Sequence, residues 1–233
     1  MEQIDKHLAK HYIHRNNWLR ATVLGANDGI ISIASLAMGI ATASTPRESV
    51  ILATVAGLVA GALSMAAGEY VSVSSQTDTE QADIEREAEE LKTMPEAELN
   101  LLVTIYQQRG LSQQTALQVA KELTEADALA AHIRDELGIN EVTQANPIQA
   151  ALASGVAFTL GGFFPLLVTL FAPVEALQYW LYGFTILFLM VLGLISARIG
   201  GSSAKKAILR ITIWGTIAMG ISAGVGYIFG VRL

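Results

Sequence analysis

Five long stretches of this 233-residue chain are almost free of charge, and they decide what it can fold into. Ile148–Val174, Ala176–Ala197 and Ile211–Val231 contain no Lys, Arg, Asp or Glu. Val50–Gly68 is also uncharged, and Ala21–Pro46 carries only Asp28. A bilayer core takes roughly 20 apolar helical residues to cross. Spans are therefore expected at about 21–43, 50–75, 148–171, 176–197 and 208–230. Backbone polar groups in lipid must be satisfied within the segment, so continuous apolar runs of this length are helices. The expected fold is all-α: a polytopic membrane protein with five transmembrane helices.

The cations set the orientation. Thirteen of the fifteen Lys and Arg fall before span one, between spans two and three, or between spans four and five. In a five-span chain those positions share one side, and only Arg47 and Arg232 fall on the other. Cytoplasmic loops collect Lys and Arg. The N-terminus and the segment between spans two and three are thus expected in the cytosol, with the C-terminus outside. The first twenty residues are polar and show no cleavable leader pattern. A compact chain without Cys or a targeting extension is expected in a bacterial plasma membrane. The lack of Cys excludes disulfides and thiolate metal sites.

The chain divides into an amphipathic N-terminal segment (1–20), spans one and two (21–75), an acidic helical cytoplasmic domain (76–147) and spans three to five (148–233). In the first segment His7, His11 and His14 share a helical face, either lying on the headgroups or offering ligands to an incoming metal. The inserted domain holds fifteen Asp and Glu against five Lys and Arg. That balance argues against a nucleic-acid partner. Span two should continue as one helix to about Lys92, since neither Pro nor Gly interrupts it from Val71 to that point. On that helix Glu80, Asp83, Glu87 and Glu90 recur at helical spacing. Like charges so placed repel, and bridging cations would relieve them; a solvated charged face is the ordinary alternative. Thr93-Met-Pro-Glu96 suggests a capping box, Gly110 a helix stop, and Ser112 and Thr124 the N-caps of two further short helices, the second ending at Gly138. Glu96, Glu98, Glu122, Asp127, Asp135 and Glu136 could each complete a site. His132 is a lone His, more often a structural donor than a ligand.

Two acids fall inside apolar spans. A carboxylate at the bilayer centre costs about 2.5–3.5 kcal/mol on insertion scales, so such groups usually bind or move a cation. Counting helix rise from Arg20 and from Gln76 puts Asp28 and Glu69 at similar depth. Met65 lies one turn beyond Glu69 on the same face, and Ser32 and Ser35 share the face of Asp28. Two hard oxygens with one thioether suit a borderline ion such as Fe²⁺ better than Ca²⁺ or Mg²⁺. Helix capping by Asp28, headgroup proximity for Glu69 and plain packing for Met65 remain the alternatives. No His has a Glu three residues before it, which argues against a ferritin-like redox centre, and no GxxxxGK[ST] loop supports ATP-driven pumping. No nucleophile–base pair points to an enzyme, and no resident cofactor is expected.

The segments GANDGIISIASLAMG (25–39), AGLVAGALSMAAGEYVSVSSQTDTE (56–80), AELNLLVTIYQQRGL (97–111), DALAAHIRDELGI (127–139) and NPIQAALASGVAFTLGGFFPLL (146–167) together resemble the vacuolar iron transporter family. The resemblance covers nearly the whole chain. It implies a homodimeric, proton-coupled exporter of Fe²⁺ and Mn²⁺ that removes metal from the cytosol, serving iron and manganese homeostasis; Zn²⁺ and Co²⁺ are further candidate ions. It further implies a translocation site of Asp28, Met65 and Glu69. Glu87, Glu90, Glu98 and Glu136 are implied as cytoplasmic metal ligands, with Glu80 and Asp83 as weaker candidates. Leu101 stands where many members place another Glu, and Met94 is the only Met of the insert. A membrane-anchored metal buffer or sensor, or a passive cation channel, would share much of this pattern.

Overall fold

The computed structural model describes residues 16–43, 46–139 and 146–230, and among them every regular element is helical. The elements are α1 (Asn16–Thr42), α2 (Arg47–Thr93), α3 (Pro95–Gln108), α4 (Gln113–Asp135), α5 (Pro147–Phe171), a short 3₁₀ turn (Val174–Ala176), α6 (Leu177–Ile199) and α7 (Ala204–Gly230). Five of these helices are long and apolar enough to cross a membrane, and they match the five expected spans. The chain is an integral, multi-pass membrane protein. The face proposed for His7, His11 and His14 lies outside the described residues.

Residues 1–71 and 147–233 cluster as one compact unit, and 72–146 as a second. In the first, α1 is the central helix. A Cβ on Gly29 would fall 2.2 Å from the carbonyl oxygen of Phe158, and one on Gly161 would fall 2.2 Å from that of Ala26. Both distances are far below contact, so α1 and α5 meet backbone to backbone, the arrangement that small residues permit in membranes. At the other end of α1, Ala34, Ala37 and Met38 join Val50, Leu177, Leu181 and Met219 in a buried cluster. Added Cβ atoms at Gly68, Gly220 and Gly224 would meet nothing within 4 Å. The glycines of the spans thus divide between seams inside the chain and open faces.

Arg47, one of the two cations on the sparsely charged side, has a structural partner. Arg47 Nη2 donates to the carbonyls of Thr169, at 3.1 Å, and Leu170. These belong to the last turn of α5, whose carbonyls have no intrahelical donors, and a cation there also complements the helix dipole. Gln178 Nε2 does the same for α1, donating to Ala41 O at 3.1 Å.

In the second unit, α3 and α4 pack through Leu102, Tyr106, Ala116, Ala120 and Ala131. Gly110 and Gly138 take φ of 99° and 68°, the left-handed conformation in which glycine ends a helix cheaply. Ser112 caps α4 as expected, its Oγ accepting from Thr115 N at 3.2 Å. Two other expected caps are corrected. Thr93 turns its hydroxyl back to Glu89 O at 2.9 Å, and Met94 is the N-cap of α3 without a side-chain hydrogen bond. Thr124 lies within α4, and the break comes at Asp127, whose Oδ1 accepts from Ala130 N at 3.0 Å. Aspartate is the better cap, so the chain breaks there.

Asp135 joins α3 to α4. It accepts from Tyr106 Oη at 2.7 Å and Arg109 Nη1 at 2.5 Å, and pairs with Arg134 at 2.7 Å. Burial alone would raise its pKa, but bonds from Arg134, Arg109 and Tyr106 outweigh that and hold the carboxyl well below the usual carboxylate range. The stabilisation is therefore present above the ordinary carboxylate pKa of ~3.9 and is lost only as pH falls below it toward the folded value. Asp135→Asn should cost about 2 kcal/mol through the lost charge-assisted bonds. Chemical denaturation of the full chain at neutral pH checks this; the difference from wild type should shrink in strong acid.

Candidate metal centres

The insert holds the tighter constellation. Its one buried His, on α4, faces two acids from other helices and one from its own. His132 Nδ1 lies 2.8 Å from Glu87 Oε1 of α2, 2.8 Å from Oε2 of Glu136, the C-cap residue of α4, and 3.9 Å from Glu98 Oε2 of α3. One ligand atom from each of the four lies within 4.8 Å of every other. Glu87, Glu98 and His132 are 2%, 6% and 0% exposed, whereas Glu136 is at the rim. One N–H serves one acceptor well, and here it pairs with Glu136. Glu87 Oε1 and Glu98 Oε2 are consequently buried without a hydrogen bond. An unsatisfied buried carboxylate oxygen is expensive. Burial pushes the Glu87 carboxyl up, and Glu136 adds to this; His132 opposes, while Glu98 and Glu90 raise it further. Three carboxylates and an imidazole with oxygens to spare form a donor set that a divalent cation would complete.

Of the acids implied by resemblance, the structure gathers Glu87, Glu98 and Glu136 and leaves the others outside. Glu90 is about one-third exposed and lies 3.9 Å from Arg86, which also pairs with Asp83 at 3.2 Å. Glu80 accepts from Gln76 Nε2 at 2.8 Å. Arg86 therefore relieves part of the repulsion that seemed to require bound cations along this stripe. Asp127 and Asp135 are occupied by capping and by the α3–α4 link. Leu101, where another acid could stand, is 38% exposed. Sequence reasoning passed over His132. Its available signal was the four-residue spacing to Glu136, which puts both side chains on one face of α4.

Within the spans, Asp28, Met65 and Glu69 are each half-buried. Met65 packs against the cluster of Ile33, Leu58, Phe158 and Leu166. Ser32 gives its hydroxyl to the Asp28 carbonyl at 2.6 Å and so is engaged with the backbone. Asn27 Oδ1 and Ser35 Oγ are buried with no hydrogen-bond partner. Leu36 lies over Gly57, and Ile33 packs with Leu58, which fixes the antiparallel register of α1 and α2. Extended, this register puts Asp28 level with the Met65 turn, and Glu69 roughly 7 Å nearer the start of α1 at ~1.5 Å per residue. The equal depth expected for the two acids is corrected to a step, because the ends of the apolar runs were a poor ruler for packed helices. An apolar groove near Phe164, Phe171, Trp180 and Phe184 contains no titratable side chain.

Comparison with known proteins agrees with this layout. The VIT family profile matches residues 19–227. A vacuolar iron transporter of Acanthamoeba castellanii is 42% identical over 226 residues, covering 97% of this chain and 84% of its own. The chain belongs to the VIT family. Another relative, vacuolar iron transporter homolog 1 of Oryza sativa subsp. japonica, is 33% identical over 95% of this chain and 78% of its own. VIT-like transporter 1b of Glycine max is 31% identical over 97% of this chain. Both centres fall inside the span matched by the VIT family profile.

Proposed function

We propose that this VIT-family chain is a proton-coupled exporter of Fe²⁺, with Mn²⁺ as a second substrate, working as a homodimer in a plasma membrane. The observation that carries the reading is the Glu87–Glu98–His132–Glu136 cluster, buried but for Glu136 at its rim and holding unpaired oxygens, in a chain with five spans. The bias of Lys and Arg supports a cytosolic insert and N-terminus, with the C-terminus outside. Metal would collect on the insert's carboxylates, move to Glu69, and continue to Asp28 beside Met65. Protons returning to the same carboxylates would release it, since a site that holds cation or protons but not both couples the two flows. The open faces at Gly68, Gly220 and Gly224 leave room for a second copy to pack.

Isothermal titration of the full chain with Mn²⁺ tests the insert. Glu98→Gln should weaken its tightest site about 10- to 100-fold, on the scale seen when metal-site groups are removed. Flux into proteoliposomes under an imposed pH gradient tests transport. A buffer or sensor would bind metal but give no flux; a channel would conduct without regard to the proton gradient.

A further inference from the structure

We infer that His132 is itself a metal ligand, giving the insert an O₃N donor set that favours later first-row ions over Mn²⁺. The inference rests on the metal-binding reading of this cluster and adds the ligand type and its selectivity. Two observations carry it. First, Nδ1 is the point on which the three acids converge: two carboxylate oxygens are 2.8 Å away and a third is 3.9 Å away. A structural donor needs one acceptor, and two of these three oxygens lack any hydrogen bond. Second, the ring is fully buried, so its direction is set by packing between α2, α3 and α4 rather than by solvent.

The chemistry follows from the donor set. Carboxylates alone suit Ca²⁺, Mg²⁺ and Mn²⁺, whereas imidazole suits Fe, Ni, Cu and Zn. Binding by a given N/O site strengthens from Mn²⁺ through Fe²⁺ to Co²⁺ and Ni²⁺. A nitrogen at the centre of the site thus becomes the residue that separates Fe²⁺ from Mn²⁺.

His132→Asn makes a sharp comparison, because the amide reaches about as far as Nδ1 and offers oxygen for nitrogen. Pulsed EPR of Mn²⁺ on the full-length protein should show nitrogen modulation that changes when histidine alone is labelled with ¹⁵N. The signal should persist in a variant lacking His7, His11 and His14 and vanish in His132→Asn. Competition titrations should show the Co²⁺-over-Mn²⁺ preference falling about tenfold in His132→Asn, with Mn²⁺ stoichiometry retained. Bound Mn²⁺ without histidine nitrogen coupling in the wild type would overturn the inference, whatever the variant does, and leave the metal-binding reading standing. An unchanged Co²⁺ preference in folded His132→Asn would overturn it equally. Failure of the wild type to bind Mn²⁺ or Co²⁺ would remove the metal-binding reading and this inference with it.

Discussion

Replacing Asp28 by Ala should reduce Fe²⁺ flux through reconstituted vesicles on the order of 100-fold, equivalent to ~2.8 kcal/mol. Asp28 is the one acid within α1, half-buried in a span where a carboxylate is costly to keep. Nearby oxygens cannot readily replace it. Ser32 is committed to the Asp28 carbonyl, and the buried oxygens of Asn27 and Ser35 are uncharged. Asp28→Asn should fail almost as completely, since it keeps the shape and removes the charge that carries both metal and proton. Either protein should remain folded in detergent and bind metal normally at the insert. Fe²⁺ influx near the wild-type rate in these variants would mean that the ion crosses by a route that avoids α1.

The second large effect concerns stability. Gly161→Ala should destabilise the membrane bundle by about 3 kcal/mol or more, at or beyond the usual range for overpacking. A methyl group there would fall 2.2 Å from the Ala26 carbonyl oxygen, and a backbone atom has no rotamer by which to retreat. Gly68→Ala is the matched control. Its Cβ meets nothing within 4 Å, and Ala is the better helix former by about 1 kcal/mol. Thermal unfolding in detergent should therefore separate the two variants, Gly161→Ala melting well below wild type and Gly68→Ala at or slightly above it. Equal melting temperatures would mean that α1 and α5 are not in direct backbone contact.

The spans were legible because hydrocarbon penalises each charge, so charge-free runs trace the helices almost to their ends. The run from Val71 to Lys92 likewise has no breaker, and α2 continues through it. Legibility faded where packing decides. His132 and Glu87 are 45 positions apart in the chain, and no local spacing links them. Asp127 prevailed over Thr124 as a cap by a small local preference that the surrounding helix could have overridden. The step between Asp28 and Glu69 depends on which side chains of α1 and α2 interlock, which the ends of the apolar runs do not reveal. Arg86 gave the clearest lesson in the opposite direction: an acidic stripe that looked starved of cations carries one of its own.

The close approach of Gly29 to the Phe158 backbone, and of Gly161 to that of Ala26, also limits how such a molecule can move. Side chains can slide by swapping rotamers, but two bare peptide ribbons pressed together have no cushion to deform, so α1 and α5 should travel as a single plank. Any alternation of access to Asp28 must then come from a neighbour swinging against that plank. A crosslink fastening the two helices should leave turnover intact, whereas tethering a mobile neighbour should halt it.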